Sequence, residues 1–151
     1  MSILFVFLAG FVVHILISGY TIMGAGINLM LLLTVEISLL KGRQSGQFFG
    51  FFSGLLEDIL SIGLLGEQLI IRTVLGNLLG RFKQNLTVEH ILFQVLITFL
   101  VFFLHSYAIY LFRIIFSHPS SITGIDVTWY SFINALLAPL VYLVLRQTVA
   151  G

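Results

Sequence analysis

Six apolar runs divide the chain: Ile3 to about Met23, Ile27 to Leu40, Gln44 to Ile62, Gln68 to Phe82, Glu89 to Phe116 and Thr128 to Leu145. Glycine, charge or a polar cluster separates each run from the next, and each is long enough for a helix, so the pattern predicts an all-α bundle of six spans. The second and fourth runs are short. At 1.5 Å per residue, about 14 or 15 residues cover roughly 21–23 Å, against a hydrocarbon core of about 30 Å. These two runs are expected inside the bundle or to extend past the boundaries drawn here. The fifth is long enough to cross with tilt or to project from the membrane.

A finer pattern lies within the third and fourth runs. Gly46, Gly50 and Gly54 recur every fourth residue, and the next step lands on Asp58; in the following run Arg72, Gly76 and Gly80 keep the same spacing. Residues four apart share a helix face, so each arm presents a glycine groove that ends in a charge. A turn centred near Leu65 sets Asp58 opposite Arg72, Gly54 opposite Gly76 and Gly50 opposite Gly80. Glycines let helix backbones approach closely in lipid, and an ionisable group there is costly unless paired. The expectation is a tightly packed hairpin locked by an Asp58–Arg72 pair, with Glu57 beside it.

Composition sharpens this picture. Of 151 residues 59% are hydrophobic and 9% charged, where a soluble domain carries roughly 25% charged residues. The chain reads as one integral membrane domain over residues 1–151, with no room for a soluble enzyme module. It has no cysteine, which removes disulfides, iron–sulfur clusters and thiolate zinc sites. A net charge of +1 without a basic block gives no basis for nucleic-acid binding. The first run lacks a basic leader and a small-residue cleavage site, so it reads as a retained span. Lys41 and Arg43, Arg81 and Lys83, and Arg146 occupy alternate connections and therefore one side, which the positive-inside rule makes cytoplasmic, together with both termini. The opposite side takes the Gly24–Gly26 turn, the Gly63–Glu67 turn and the Ser117–Asp126 loop, with Trp129 and Tyr130 as interfacial anchors.

Few residues offer chemistry. Asp58, Arg72 and Glu57 fall near the outer ends of their spans; they read as a polar cluster facing a ligand or partner, or as a salt bridge near the headgroups. No base, nucleophile or metal set converges on them, so a structural role carries more weight than a catalytic one. Glu36 either snorkels to Lys41 or Arg43 or lines an internal polar pocket. His14 and His105 sit mid-span, where a hydrogen bond to a neighbouring helix is the commoner fate, and no metal-binding spacing joins them. In NALLAPL, Pro139 should kink the last helix, and Asn134 can bond across helices to shape a cavity. The Asn85–Leu86–Thr87 sequon falls in a cytoplasmic loop and carries no glycosylation. The phenylalanine clusters FFGFF and FLVFF face lipid, fill the core or receive a partner's span. No cofactor is expected.

GFFSGLLEDILSIGLLG, Gly50 to Gly66, resembles the signature hairpin of the rod shape-determining MreD family, a glycine-rich span ending in Leu-Leu-x-Asp before a small-residue turn and Leu-Gly. NALLAPL, Asn134 to Leu140, is similar to that family's last span, Asn-x-Leu-x-x-Pro. The likeness covers the whole chain, with one departure: Ile27-Asn28 stands where the family usually has Pro-Asp or Pro-Asn. The resemblance implies a non-catalytic inner-membrane component of the bacterial elongation machinery. Its direct partner would be the bitopic protein MreC, with MreB, RodA and a class B transpeptidase reached indirectly, all in contact with membrane lipid. It also implies a fold like the substrate-binding subunits of energy-coupling-factor vitamin transporters. That is the rival function, a small-molecule-binding subunit. The short outer loops, poor in aromatic hydrogen-bonders, favour the scaffold.

Overall fold

The structure, a computed structural model, describes residues 3–17, 21–22, 25–61, 64–83, 90–116 and 124–149. Gly24, Gly63, the 117–123 segment and the Asn85–Thr87 sequon lie outside them. Six helices carry the fold: α1 (Ile3–Ile17), α2 (Leu29–Lys41), α3 (Arg43–Leu60), α4 (Glu67–Phe82), α5 (Ile91–Ile115) and α6 (Gly124–Val149). The helix of the first run stops at Ile17, short of the expected Met23. The chain then forms a two-residue antiparallel ladder, Thr21 opposite Gly26 and Ile22 opposite Ala25, which leads into α2. At the other end α6 begins at Gly124, ahead of the expected Thr128, and runs to Val149 through Pro139.

The centre of the bundle is α2. Ten consecutive residues, Met30 to Leu39, are buried, so no side of this 13-residue helix meets lipid. One face packs Leu31, Leu32, Val35 and Leu39 against Leu79 of α4, Val101 and Phe102 of α5, and Ala138 and Tyr142 of α6. The other packs Met30, Leu33 and Ile37 against Val6 of α1, Phe49 of α3 and Leu145 of α6. This placement removes the length problem of the second run, because an enclosed helix need not match the hydrocarbon thickness. The peripheral helices do the opposite, turning Phe5, Leu8, Val12 and Leu16 of α1 and Leu92, Leu96, Leu100 and Leu104 of α5 outward. Such continuous apolar surface is foreign to a soluble monomer and suits lipid. By length and hydropathy, α5 and α6 can each cross a membrane.

The glycine faces of α3 and α4 do meet, in a different register. A methyl group on Gly76 would strike the carbonyl oxygen of Gly46; one on Gly50 would strike the backbone of Arg72. One on Gly54 would lie 2.6 Å from the carbonyl oxygen of Gln68, and one on Gly80 would strike Arg43. Gly50 thus faces Arg72 instead of Gly80, a slide of about 12 Å along the axis. The cause is an asymmetric connection. α3 runs on to Leu60, while the link returns sharply enough for α4 to start beside Asp58 and Gly54, not beyond them. Gly46 serves a second seam, since its methyl would also strike the Ser38 hydroxyl of α2. There Thr34 and Ser53 hydroxyls lie 3.1 Å apart across α2 and α3. Small residues on three helices bring their backbones together, the packing mode available where lipid supplies no hydrophobic drive between helices.

Candidate functional site

Asp58 and Arg72 do not pair. The Asp58 carboxylate accepts N–H bonds from Gly66 at 3.0 Å, Gln68 at 2.9 Å and Leu69 at 3.0 Å. A helix start leaves its first N–H groups without intrahelical partners and carries partial positive charge. Gly66, the residue before α4, has no side chain to cap them, and its φ of +95° is the left-handed conformation glycine tolerates. Asp58 supplies the missing cap from the neighbouring helix. The partner of Arg72 is Glu57, whose Oε2 accepts from Nη2. Glu57 and Asp58 are adjacent and point about 100° apart on the helix, so the displaced register exchanges their roles.

Around Glu57 a polar network gathers side chains from the whole bundle. Asn28, just before α2, donates its side-chain amide to Glu57 Oε1 at 3.0 Å, accepts from Leu31 N–H at 3.0 Å as the α2 cap, and donates its backbone N–H to Asn134 Oδ1 at 2.9 Å. Asn134, fully buried on α6, donates to the carbonyls of Gly26 and Tyr130. Arg72, fully buried, donates Nε–H to Gln68 Oε1 at 3.2 Å. The same oxygen lies 2.9 Å from His105 Nε2 on α5. Arginine can only donate, so this atom is the amide oxygen, and His105 donates to it through Nε2. His14 Nε2 of α1 approaches Glu57 Oε2 at 4.0 Å. Five helices and the residue that caps α2 thus contribute to one cluster. A second ion pair, Arg113 to Glu67 at 2.8 Å, fastens the last turn of α5 to the first turn of α4.

Glu57 also separates two cavities. The larger, about 300 Å³, opens between α4, α5 and α6 and is lined by Asn28, Glu57, Gln68, His105, Ser106, Arg113, Asp126 and Tyr130 among others. The smaller, about 190 Å³, lies on the α1 side against His14, Phe11 and Ser53. Arg72 Nη1, His14 Nδ1 and His105 Nδ1 are buried without a hydrogen-bond partner among the described residues. Nothing in the arrangement pairs a nucleophile with a base, and no group of three or more metal-ligating side chains occurs among the described residues.

The remaining expectations divide. Glu36 does not reach Lys41 or Arg43: it is fully buried on α2, beside Thr98 of α5, and neither oxygen has a hydrogen-bond partner among the described residues. Pro139 is half-buried and stays outside the network. Asn28 enters the sequence reading only as a departure from the family pattern and Gly26 only as part of a turn; neither they nor Gln68 are expected in the cluster. The signal for Asn28 was there, an Asn directly before an apolar helix, which is the mark of an N-cap. Gln68 carries no comparable local mark.

Apolar outer faces and a central helix shielded from lipid define a helical membrane protein. The chain matches the family model described as rod shape-determining protein MreD over residues 1–148, and it belongs to the MreD family. No curated protein and no solved structure matches it. Its role is accordingly that of a rod-shape-determining membrane protein.

Proposed function

We propose that this protein is a non-catalytic scaffold of the bacterial cell-elongation complex in the inner membrane, and that it binds MreC directly. Through MreC it would reach MreB, RodA and a class B transpeptidase and so help regulate lateral peptidoglycan synthesis. The observation that carries this reading is the Glu57 network. It joins polar side chains of five helices and the α2 cap at one end of the bundle, beside an open cavity rimmed by Arg113 and Asp126. That is an arrangement for presenting a fixed surface, with nothing in it to break or form a bond. The test is affinity purification from membranes. MreC should be recovered with the native chain, and recovery per unit of folded protein should fall when Arg113 and Asp126, on the cavity rim, are changed to alanine. Recovery of a transporter ATPase in place of MreC would favour the vitamin-binding subunit instead, the reading for which the cavity would be a substrate pocket.

The scaffold reading includes a six-span topology with both termini in the cytoplasm and the Glu57 network toward the outer face. Single cysteines at Lys41, Lys83 and Arg146 should resist an impermeant thiol reagent in intact cells, while one at Gly124 should react. The native chain has no cysteine, so each probe reports alone. Reaction at Lys83 without permeabilisation would reverse the assignment.

A further inference from the structure

We propose that the corner where α2, α3 and α4 meet, at the end of the bundle away from Glu57, binds the headgroup of an anionic phospholipid, with preference for one that carries two phosphates. The chain has seven lysines and arginines, and four of them, Lys41, Arg43, Arg81 and Lys83, come together here. Gly42 makes the corner. Its φ of +91° turns the chain between α2 and α3, and its N–H closes α2 by donating to Ser38 at 2.9 Å. Gly80 packs so closely on it that a methyl group there would strike the backbone of Arg43. The stem of Lys83 passes over the corner, its Cδ 3.4 Å from where a Gly42 methyl would stand. Lys41 and Arg43 flank Gly42, and Arg81 and Lys83 flank the end of α4, so close packing of two glycines brings the chain segments that carry four like charges to one corner.

All four are exposed, and none has an ion pair or hydrogen bond among the described residues. No carboxylate among the described residues neutralises them. Glu36 is buried on α2, Glu57, Asp58, Glu67 and Asp126 belong to the other end, and Glu89 lies outside the described residues. Uncompensated cations held together at a helix-bundle corner favour a multivalent anion. The surroundings identify its kind. Phe48 on α3, and Leu78 and Phe82 on α4, stand exposed beside the patch, giving acyl chains a surface that a free phosphate would not use. Four cations outnumber the single charge of a monophosphate headgroup, and their distribution over two chain segments suits two phosphates side by side.

The proposal is independent of MreC binding and is tested on the purified protein in mild neutral detergent. Native mass spectrometry and the thermal midpoint are read with tetraoleoyl cardiolipin, with dioleoylphosphatidylglycerol at equal phosphate, with dioleoylphosphatidylcholine and with sodium pyrophosphate. Cardiolipin should be retained best and should raise the midpoint most. The variant Arg43→Gln with Lys83→Gln should retain it less, by roughly fivefold for each cation removed, with an unchanged midpoint in phosphatidylcholine. Lys41→Gln with Arg81→Gln is an independent variant with the same expectation. Arg146→Gln, on α6 and outside the α2–α3–α4 corner, should retain cardiolipin as the native chain does. Full retention by both double variants overturns the site. An equal response to phosphatidylglycerol overturns the two-phosphate preference, and an equal response to pyrophosphate overturns the lipid.

Discussion

A single methyl group on Gly76 should destabilise this protein about as much as the loss of a buried side chain from the core. In Gly76→Ala the new Cβ meets the Gly46 carbonyl oxygen and carbon and the Gln47 nitrogen, all of them backbone atoms. A side chain would rotate away; a backbone in mid-helix cannot. The only relief is separation of α3 from α4, and Gly46 is also wedged against Ser38 of α2, so the strain passes to the central helix. Overpacking costs about 1–3 kcal/mol for modest insertions, and alanine at Gly76 belongs at the upper end. Leucine there, or at Gly50 or Gly54, should abolish the folded yield in detergent. Gly124→Ala, where nothing lies within 4 Å of the added carbon, is the matched control and should melt with the native chain. A native thermal midpoint for Gly54→Leu would show that the two helices are not in the contact described.

The second large effect follows from the exchange of partners at the end of α3. Arg72 is fully enclosed and its charge is met by Glu57, whose side chain is 23% exposed. Removing one partner of a buried pair costs about 3–5 kcal/mol; partial solvation of Glu57 puts Arg72→Ala toward the lower end, while Glu57→Ala strands the enclosed guanidinium and belongs toward the upper end. The double change Glu57→Ala with Arg72→Ala should cost far less than the sum of the singles, because no orphan charge remains. Asp58→Ala removes a helix cap and should cost about 1–2 kcal/mol, adding simply to the effect of Arg72→Ala. Denaturation midpoints of the three singles and two doubles decide the matter. Coupling of Arg72 to Asp58 larger than its coupling to Glu57 would refute the network.

These two cases also mark what could be read without coordinates. The glycine spacing identified the right faces of α3 and α4, because a period of four survives any axial displacement. It did not fix their register, which depends on how sharply the link between Leu60 and Glu67 returns. That error carried over to the charges. Glu57 and Asp58 lie three and four residues beyond Gly54, both near its face, so only the true register separates the arginine's partner from the helix cap. Asn134 and His105 were recognisable as polar side chains with no reason to face lipid. Their meeting points, Asn28 and Gln68, were not, because a contact across 106 residues leaves no periodic trace. Of the two readings open for Glu36, burial removes the snorkel to Lys41 or Arg43. Its short distance from Lys41 along the chain suggested an exposed end, and only the packing of five other helices around α2 encloses it.

The bond between Asn28 and Asn134 has a consequence for the order in which the molecule is made. The Asn28 N–H stands at the mouth of the innermost helix, and its acceptor is a side chain on the last helix to be synthesised. Until α6 is in place, the Asn28 N–H lacks this acceptor and the face of α2 that packs on Ala138 and Tyr142 lacks its cover. With α1, α3, α4 and α5 on its other sides, docking of α6 is the step that both encloses this central pillar and satisfies its entrance.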